Sequence, residues 1–287
     1  MSVYNIMSIM DWIYWQNNSD KILFEGITKL KNSVTCDWFR VDIINPGNYL
    51  IVNDDLFYYI GEAKSLKERL KQQFTPCHST FYKNYTKKIS GNLKIEDFKV
   101  NSFKTSIGRK EMEEFGIVNL PTILNKFQLS KRNKVSFSKI GNVWEEVQSK
   151  SEELLVQGEM RVLKQPVLKW VKASVPVSAG VYAVFDNSHE LIYIGESSDI
   201  NKRYMTHSER TYFSALRRHI GTDILGFELI DSNKKKKRKF TKENDICITD
   251  FLNKCSIKYA PVSFGRFELE EYLIRKYKPV LNRKDNK

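Results

Sequence analysis

The 287-residue chain is predicted to have an α+β fold that is built twice, as two small modules in tandem. Three sequence blocks recur in the same order, an apolar hairpin opens each set, and residues at helical spacing close it. Each module is expected to be an antiparallel three-stranded sheet flanked by helices. The N-terminal module, with a helical extension at its start, is placed at residues 1–140. The C-terminal module, with the helical connector that joins the two, is placed at residues 141–287.

Three pairs of blocks recur, and the first two pairs align without gaps. The pairs are Tyr59–Arg69 with Tyr193–Arg203, Gly108–Asn125 with Gly265–Asn282, and Pro46–Val52 with Ser178–Val184. The first pair shares five of eleven residues and the second shares eight of eighteen. The offset grows from 134 to 157 residues between these two blocks, so the second module carries an insertion of 23 residues. Matched blocks in one order indicate an internal duplication.

In the second module, runs of β-branched and aromatic residues indicate strands, and 3.6-residue periodicity with capping residues indicates helices. The expected elements are a hairpin of residues 180–185 and 191–194, a helix capped by Ser198 or Asp199, a helix over 212–220, a third strand over 227–230, and a helix over 268–276 that Pro279 ends. The first module is expected to repeat this order. Its elements are a hairpin of residues 49–52 and 57–60, a helix from Ser65, a helix over 109–119, and then the connector over 141–158.

The net charge of +13 favours a polyanionic partner, and nucleic acid is the first choice. The sequence has no apolar run of 18 residues, so no membrane span is expected. The four cysteines show no CxxC spacing, which argues against a structural zinc site and fits buried thiols in a reducing cytoplasm.

The insertion contains the basic run Lys234–Lys239. Such a run is most often a solvated, mobile loop, and a contact with the DNA backbone is the sharper interpretation; the two are compatible. The candidate DNA-contacting residues in and before the insertion are Arg217, Arg218, Lys235, Lys236 and Arg238.

The second module resembles the GIY-YIG nuclease family. Its two signatures stand as Gly180-Val-Tyr182 and Tyr193-Ile-Gly195, and the remaining motif positions are Arg203, His207, Glu270 and Asn282. The resemblance implies that Tyr182, Tyr193, Arg203, His207, Glu270 and Asn282 form a catalytic site. It also implies that Glu270 binds one Mg²⁺ or Mn²⁺. Any one of these residues alone is better explained by packing or by a solvated surface, and it is their joint spacing that favours a site.

The first module carries the matched residues Tyr49, Tyr59, Arg69, Glu113 and Asn125, so the resemblance implies a second site with Glu113 as its metal ligand. It departs from the pattern at Asn48, Gln73 and Gly116, which stand where the second module has Val181, His207 and Leu273.

The chemistry implied is metal-dependent hydrolysis of phosphodiester bonds in double-stranded DNA. A type II-like restriction enzyme is expected, acting as a monomeric pseudo-dimer that cuts one strand with each module. A homing, repair or structure-specific nuclease of the same family is the alternative within the class. A DNA-binding protein with an inactive nuclease fold is the alternative of another class. Which of Tyr182, Tyr193 and His207 takes the proton stays open.

Overall fold

The structure is a computed structural model that describes residues 12–76, 79–89, 91–125, 132–138, 141–232 and 235–283. The chain divides into two compact units, Met1–Leu154 and Leu155–Lys287. Their boundary lies inside one helix, Ser151–Leu163, and so falls after the predicted boundary at residues 140/141. Within the described ranges, no helix is long and apolar enough to cross a membrane.

The first unit is a four-stranded antiparallel sheet with helices packed on it. In chain order its elements are α1 (Ser19–Lys31), β1 (Thr35–Cys36), β2 (Gly47–Asn53), β3 (Leu56–Ala63), α2 (Leu66–Phe74), α3 (Thr80–Lys88), β4 (Lys99–Lys104), α4 (Arg109–Asn119) and α5 (Val143–Ser149), and α6 (Ser151–Leu163) runs into the second unit. The sheet order is β1-β4-β2-β3. Residues 12–17, in the predicted N-terminal extension, are also helical, while residues 1–11 lie outside the described part of the chain.

The second unit has the same sheet plan. Its elements are β5 (Leu168–Lys169), β6 (Gly180–Phe185), β7 (Leu191–Ser197), α7 (Ile200–Glu209), α8 (Ala215–His219), a π-helical turn (Ile220–Ile224), β8 (Ile230–Ser232), β9 (Lys235–Lys239), α9 (Lys242–Lys254), β10 (Ser256–Pro261) and α10 (Arg266–Tyr277). The main sheet has the order β5-β10-β6-β7, which corresponds strand for strand to the first.

The hairpins and the helices next to them form as their residues predict. Strand β6 is buried along nearly its whole length and pairs with β7, and Asp199 caps α7 by accepting a hydrogen bond from the Lys202 amide. In the first unit Ser65 caps α2 in the same way, through the Glu68 amide. The local signals of turns and caps therefore determine these elements.

The structure corrects the prediction of a third strand over residues 227–230. Residues 227–229 are not a strand, and Ile230 belongs to a separate two-stranded hairpin, β8 with β9. The strand that pairs with β6 is β10, in which Ile257 lies opposite Val184 and Tyr259 lies opposite Tyr182. The predicted three-stranded sheets also each gain a two-residue edge strand, β1 or β5. Propensity alone does not distinguish two short apolar runs that compete for one sheet edge.

The basic run is not simply a loop. Its residues 235–239 form β9, which pairs with β8 as Ile230 opposite Lys239. The structure does not describe the side chains of residues 231–237, which include the predicted DNA contacts Lys235 and Lys236. A helix, α9, follows within the insertion and buries Ile248 and Leu252.

Candidate active site

A buried chain of hydrogen bonds runs from strand β6 to helix α8. The Tyr182 hydroxyl lies 2.7 Å from His207 Nε2, and His207 Nδ1 lies 2.7 Å from Ser214 Oγ. Ser214 caps α8 by accepting from the Arg217 amide at 3.0 Å. All three side chains are at most 2% exposed, so the geometry of the imidazole is fixed on both sides.

The environment keeps the hydrogen-bonded side chains of Tyr182, His207 and Ser214 uncharged. Burial, followed by the positive charges of Arg203, Arg217 and Arg218, lowers the pKa of His207 to about 3. Burial and the nearby Tyr193 raise the pKa of Tyr182 well above its ordinary value. A neutral imidazole has one donor and one acceptor nitrogen. In the tautomer with its hydrogen on Nδ1, His207 donates to Ser214 and accepts from the Tyr182 hydroxyl.

Tyr193, Arg203 and Glu270 gather beside this chain. The Tyr193 ring centroid lies 6.2 Å from that of Tyr182 and 6.0 Å from that of His207. Burial and then the negative charge of Glu270 raise the pKa of Tyr193 to about 12, whereas Arg203 opposes the shift. The motif residues of strand β7, helix α7 and helix α10 therefore act on the same two phenols, as their spacing predicts.

Asn282 holds the strand that carries Tyr193. Its Oδ1 accepts from the Ile194 amide at 2.8 Å, and its Nδ2 donates to the Ile194 carbonyl at 2.8 Å. The residue is 8% exposed and reaches strand β7 from a position 88 residues along the chain. Asn282 therefore positions strand β7 and lies next to the site rather than in it.

Steric crowding explains the glycine of the second signature, Gly195. A Cβ added at Gly195 would collide with the hydroxyl and ring of Tyr182. In the first unit a Cβ at Gly61 would collide with Tyr49 in the same way. Each glycine thus leaves room for the tyrosine of the neighbouring strand to lie across the sheet.

One ion pair was not predicted. Arg266, 2% exposed at the start of α10, donates from Nε to Glu196 Oε2 at 2.7 Å, and the Glu196 amide donates to Glu270 Oε1 at 3.0 Å. The first unit has the corresponding pair, Arg109 with Glu62 at 3.4 Å. The signal was present in the repeats, since Arg and Glu recur at these positions in both. The pair fixes the backbone that supports Glu270.

The match to a known family covers this unit. The family model described as GIY-YIG catalytic domain matches residues 167–287. Residues 167–287 form a GIY-YIG catalytic domain. Neither the curated proteins nor the solved structures gave a similar chain. The match therefore implies a nuclease in the second unit of the chain.

The donor set of the GIY-YIG domain fits a metal held by one carboxylate. No cluster of three or more His, Cys, Asp or Glu side chains suited to a metal is present in the described ranges. Glu270 is half-buried, and one of its oxygens accepts the Glu196 amide, which orients the carboxylate. A single oriented carboxylate suits a divalent ion such as Mg²⁺ that retains most of its water.

The predicted DNA contacts separate into two kinds. Arg217 is a correction: it is fully buried, and its guanidinium donates to Asp245, Thr211 and Thr249, so it offers no surface to a phosphate. Arg218 is half-buried, donates to the carbonyls of Thr211 and Tyr212, and lowers the pKa values of both Tyr193 and His207. Arg218 therefore lies near Tyr193 and His207.

Among the predicted DNA contacts whose side chains the structure describes, Arg238 is the exposed one. Its guanidinium lies 5.6 Å from the centroid of the Tyr212 ring, next to exposed Phe213. An arginine over an aromatic ring forms a flat, positively charged surface.

The first unit brings together its matched residues, with Gln73 in place of the histidine. Gln73 Nε2 donates to the Tyr49 hydroxyl at 2.6 Å, in the place that His207 takes in the GIY-YIG domain. Tyr49 and Tyr59 stack with centroids 6.3 Å apart, and Arg69 and Glu113 act on both phenols. Asn125 bonds the amide and carbonyl of Ile60 at 2.8 Å each.

The departures Asn48 and Gly116 are explained by packing. Asn48 is buried and donates from Nδ2 to the Arg109 carbonyl at 2.9 Å, which joins strand β2 to helix α4. A Cβ at Gly116 would overlap Ile60, so the helix lies close to the sheet there. Glu113, the second predicted metal ligand, accepts from the Lys110 ammonium at 2.5 Å.

Proposed function

We propose that the chain is a metal-dependent endonuclease that hydrolyses phosphodiester bonds of double-stranded DNA in its GIY-YIG domain. The observation that carries the proposal is the buried Tyr182–His207–Ser214 chain, with Arg203 and Glu270 acting on the same phenols. The net charge of +13 supports a polyanionic substrate.

Tyr182 is the residue that positions the attacking water. Because its hydroxyl donates to His207, the lone pairs of the phenol oxygen are left to accept a hydrogen bond from water. The raised pKa of Tyr182 keeps the proton on the phenol, so the hydroxyl stays in its donating orientation.

His207 receives the proton, and substrate binding makes it more basic. Burial contributes most to its lowered pKa, and the charges of Arg203 and Arg218 contribute further. A phosphodiester anion bound between those two arginines offsets their charges and raises the pKa of His207. The water proton then passes to Tyr182 as the Tyr182 proton passes to Nε2.

Arg203 and Glu270 act on the phosphate. The guanidinium of Arg203 binds phosphate oxygens as a fork of donors. Glu270 would hold Mg²⁺ or Mn²⁺, and the bound ion would supply charge neutralisation at the phosphate and at the leaving 3′ oxygen. The expected products are ends with a 3′-hydroxyl and a 5′-phosphate.

A type II-like restriction activity is the biological role that this chemistry favours. Two units with one sheet order support the single-chain pseudo-dimer in which each module engages one DNA strand. Whether both modules cut depends on the first unit, where Lys110 and Gln73 differ from the GIY-YIG domain. Homing, repair and structure-specific nucleases remain the alternatives within the family.

The test is cleavage of a mixture of long duplex DNAs by the full chain in Mg²⁺, in Mn²⁺ and in EDTA, followed by sequencing of the ends. Ends that appear only with the divalent ion and share one sequence support a restriction nuclease. Ends at DNA junctions or flaps favour a structure-specific nuclease. Binding of DNA without new ends under all three conditions refutes the proposal in favour of an inactive nuclease fold.

A further inference from the structure

The turn between helices α7 and α8 forms one side of an open cleft in the GIY-YIG domain. The cleft has a volume of about 390 Å³, which is enough for an organic ligand. Three aromatic side chains line it, Tyr212, Phe213 and Phe240, together with two exposed cations, Arg210 and Lys239. Phe213 directly precedes Ser214, whose hydroxyl bonds His207, so the cleft adjoins the candidate active site.

Phe213 is an exposed ring at this position. Its centroid lies 4.9 Å from that of Tyr212, and because the two rings are nearly perpendicular, at 77°, they do not stack on each other. Phe213 remains 63% exposed, whereas the Arg238 guanidinium lies 5.6 Å from the centroid of Tyr212. The cleft therefore presents an open aromatic ring beside a positively charged group.

Hydrogen bonds fix the backbone of the turn that carries this ring. Arg218 Nη1 donates to the carbonyls of Thr211 and Tyr212, at 3.0 and 2.7 Å. From the other side, the buried Arg217 donates from Nε to Thr211 Oγ1 at 2.7 Å. A ring on a backbone that is already ordered loses little freedom when a ligand stacks on it, and this favours binding.

The charged groups of the cleft favour an anion. Arg210 and Lys239 are positive, and Asp245 is the one carboxylate among the described residues that line the cleft. Asp245 Oδ1 accepts from the buried Arg217 guanidinium at 3.0 Å, so the protein itself offsets that negative charge. Arg238 adds a further positive charge beside Tyr212. Exposed cations next to an open ring suit a ligand with both a phosphate and a flat ring system.

We propose that the cleft holds an unpaired nucleotide of the DNA substrate, with its base stacked on Phe213 and its phosphate beside Arg210 and Lys239. The proposal rests on the proposed function for the identity of the polymer as DNA. An aromatic ring accepts any base, because every base has a π-face, and the cations bind the backbone that all sequences share. The cleft therefore recognises that a nucleotide is unpaired and not which base it carries.

The position of the cleft gives this nucleotide a role in the reaction. Ser214 and Arg218 connect the turn to His207 and Tyr193, so a nucleotide in the cleft lies near the phosphate that is cut. Taking a base out of the stack costs free energy, and the cost is smallest where the base is already unpaired. DNA with an unpaired nucleotide should therefore bind more tightly than a fully paired duplex.

The test compares two fluorescent DNAs, a paired duplex and the same duplex with one unpaired nucleotide, by anisotropy in EDTA with the full chain carrying Glu270→Gln. This chain is expected to bind the second DNA more tightly. Phe213→Ala should weaken binding of that DNA about 5- to 150-fold, as the loss of one base–aromatic stack does, and should remove the preference. Phe213→Trp should keep it.

Phe39→Ala is the matched control. Phe39 is 66% exposed, lies in a 3-10 turn of the first unit, and meets Trp38 at 87°, much as Phe213 meets Tyr212. Its neighbour Arg40 pairs with Asp37 at 3.2 Å. Equal binding of the two DNAs, a preference that survives in Phe213→Ala, or an equal loss in Phe39→Ala overturns the proposal.

A cross-linking experiment locates the base directly in a chain that keeps Phe213. Iodouracil replaces the unpaired base, the complex with the Glu270→Gln chain is irradiated, and mass spectrometry identifies the modified residue. A cross-link to Phe213 or Tyr212 is expected, and cross-links only outside the cleft overturn the proposal. A chain that binds and cuts DNA without these effects refutes this inference alone, whereas a chain that binds no DNA refutes the proposed function as well.

Discussion

Replacing Asn282 by alanine removes both hydrogen bonds that hold Ile194 in strand β7. The two bonds are 2.8 Å long and buried, and alanine leaves the Ile194 amide and carbonyl without a partner. An orphaned buried polar group costs about 1 to 3 kcal/mol, so with two such groups the variant is expected to lose about 2 to 6 kcal/mol of local stability. Cleavage should fall as well, because Tyr193 is the neighbouring residue of the same strand.

The assay is hydrogen exchange with mass spectrometry on the full chain, which reports the stability of each segment separately. Peptides over residues 191–197 should exchange faster by the factor that this free energy implies, while peptides over residues 56–63 keep their rates. Asn125→Ala is the matched experiment for the first unit and should produce the reverse pattern, because Asn125 bonds Ile60 in the same way. A loss below about 1 kcal/mol, or equal effects on both units, would refute the positioning role of these asparagines.

Three further predictions concern the GIY-YIG domain. Because the pKa of His207 is lowered to about 3 from the ordinary 6.5, the unfolded chain takes up a proton at a higher pH than the folded chain does. The free energy of unfolding should therefore be highest above pH 6.5 and should decline below it by at most about 1.4 kcal/mol per pH unit. Urea titrations should show that His207→Gln removes this decline. Gly195→Ala should displace the Tyr182 hydroxyl and reduce cleavage at least tenfold while DNA affinity in EDTA is kept; unchanged cleavage would contradict the steric reasoning. Arg217→Gln should lower the melting temperature by loss of buried hydrogen bonds, whereas Arg218→Gln should lower cleavage with a smaller thermal effect; the opposite ranking would contradict their assignment.

Local sequence signals predicted the hairpins and the helices that carry the motif. The strand Gly180–Phe185 and the helix Arg109–Asn119 have the predicted bounds, since apolar alternation and capping act within a few residues. The spacing of the family motif predicted that Tyr182, His207 and Glu270 lie close together. Secondary-structure propensity alone carries no information about such distances.

Tertiary choices were not predictable in the same way. Two runs, residues 227–230 and Ser256–Pro261, could each pair with β6, and only the packing of the whole insertion selects the second. Arg217 and Arg218 are neighbours of one residue type, yet the helix turns one to the core and the other toward Tyr193. The direction in which each side chain leaves the short helix decides whether the arginine is buried, and a count of charges in the sequence does not give that direction.

The same holds for Phe213. The sequence places it next to Tyr212, and a pair of aromatic residues is equally common in a hydrophobic core. Its meaning depends on its exposure in a cleft that also holds two cations, which only the structure provides.

Nicking of supercoiled plasmids by the Glu270→Gln chain, with Glu271→Gln as the control on the adjacent half-buried carboxylate, tests the catalytic site most directly. The plasmids must carry the sequence found by end mapping. The expected result is metal-dependent nicking by the unchanged chain and by Glu271→Gln, and none by Glu270→Gln. Metal-dependent nicking that persists in Glu270→Gln at an undiminished rate would show that the cutting site lies elsewhere in the chain.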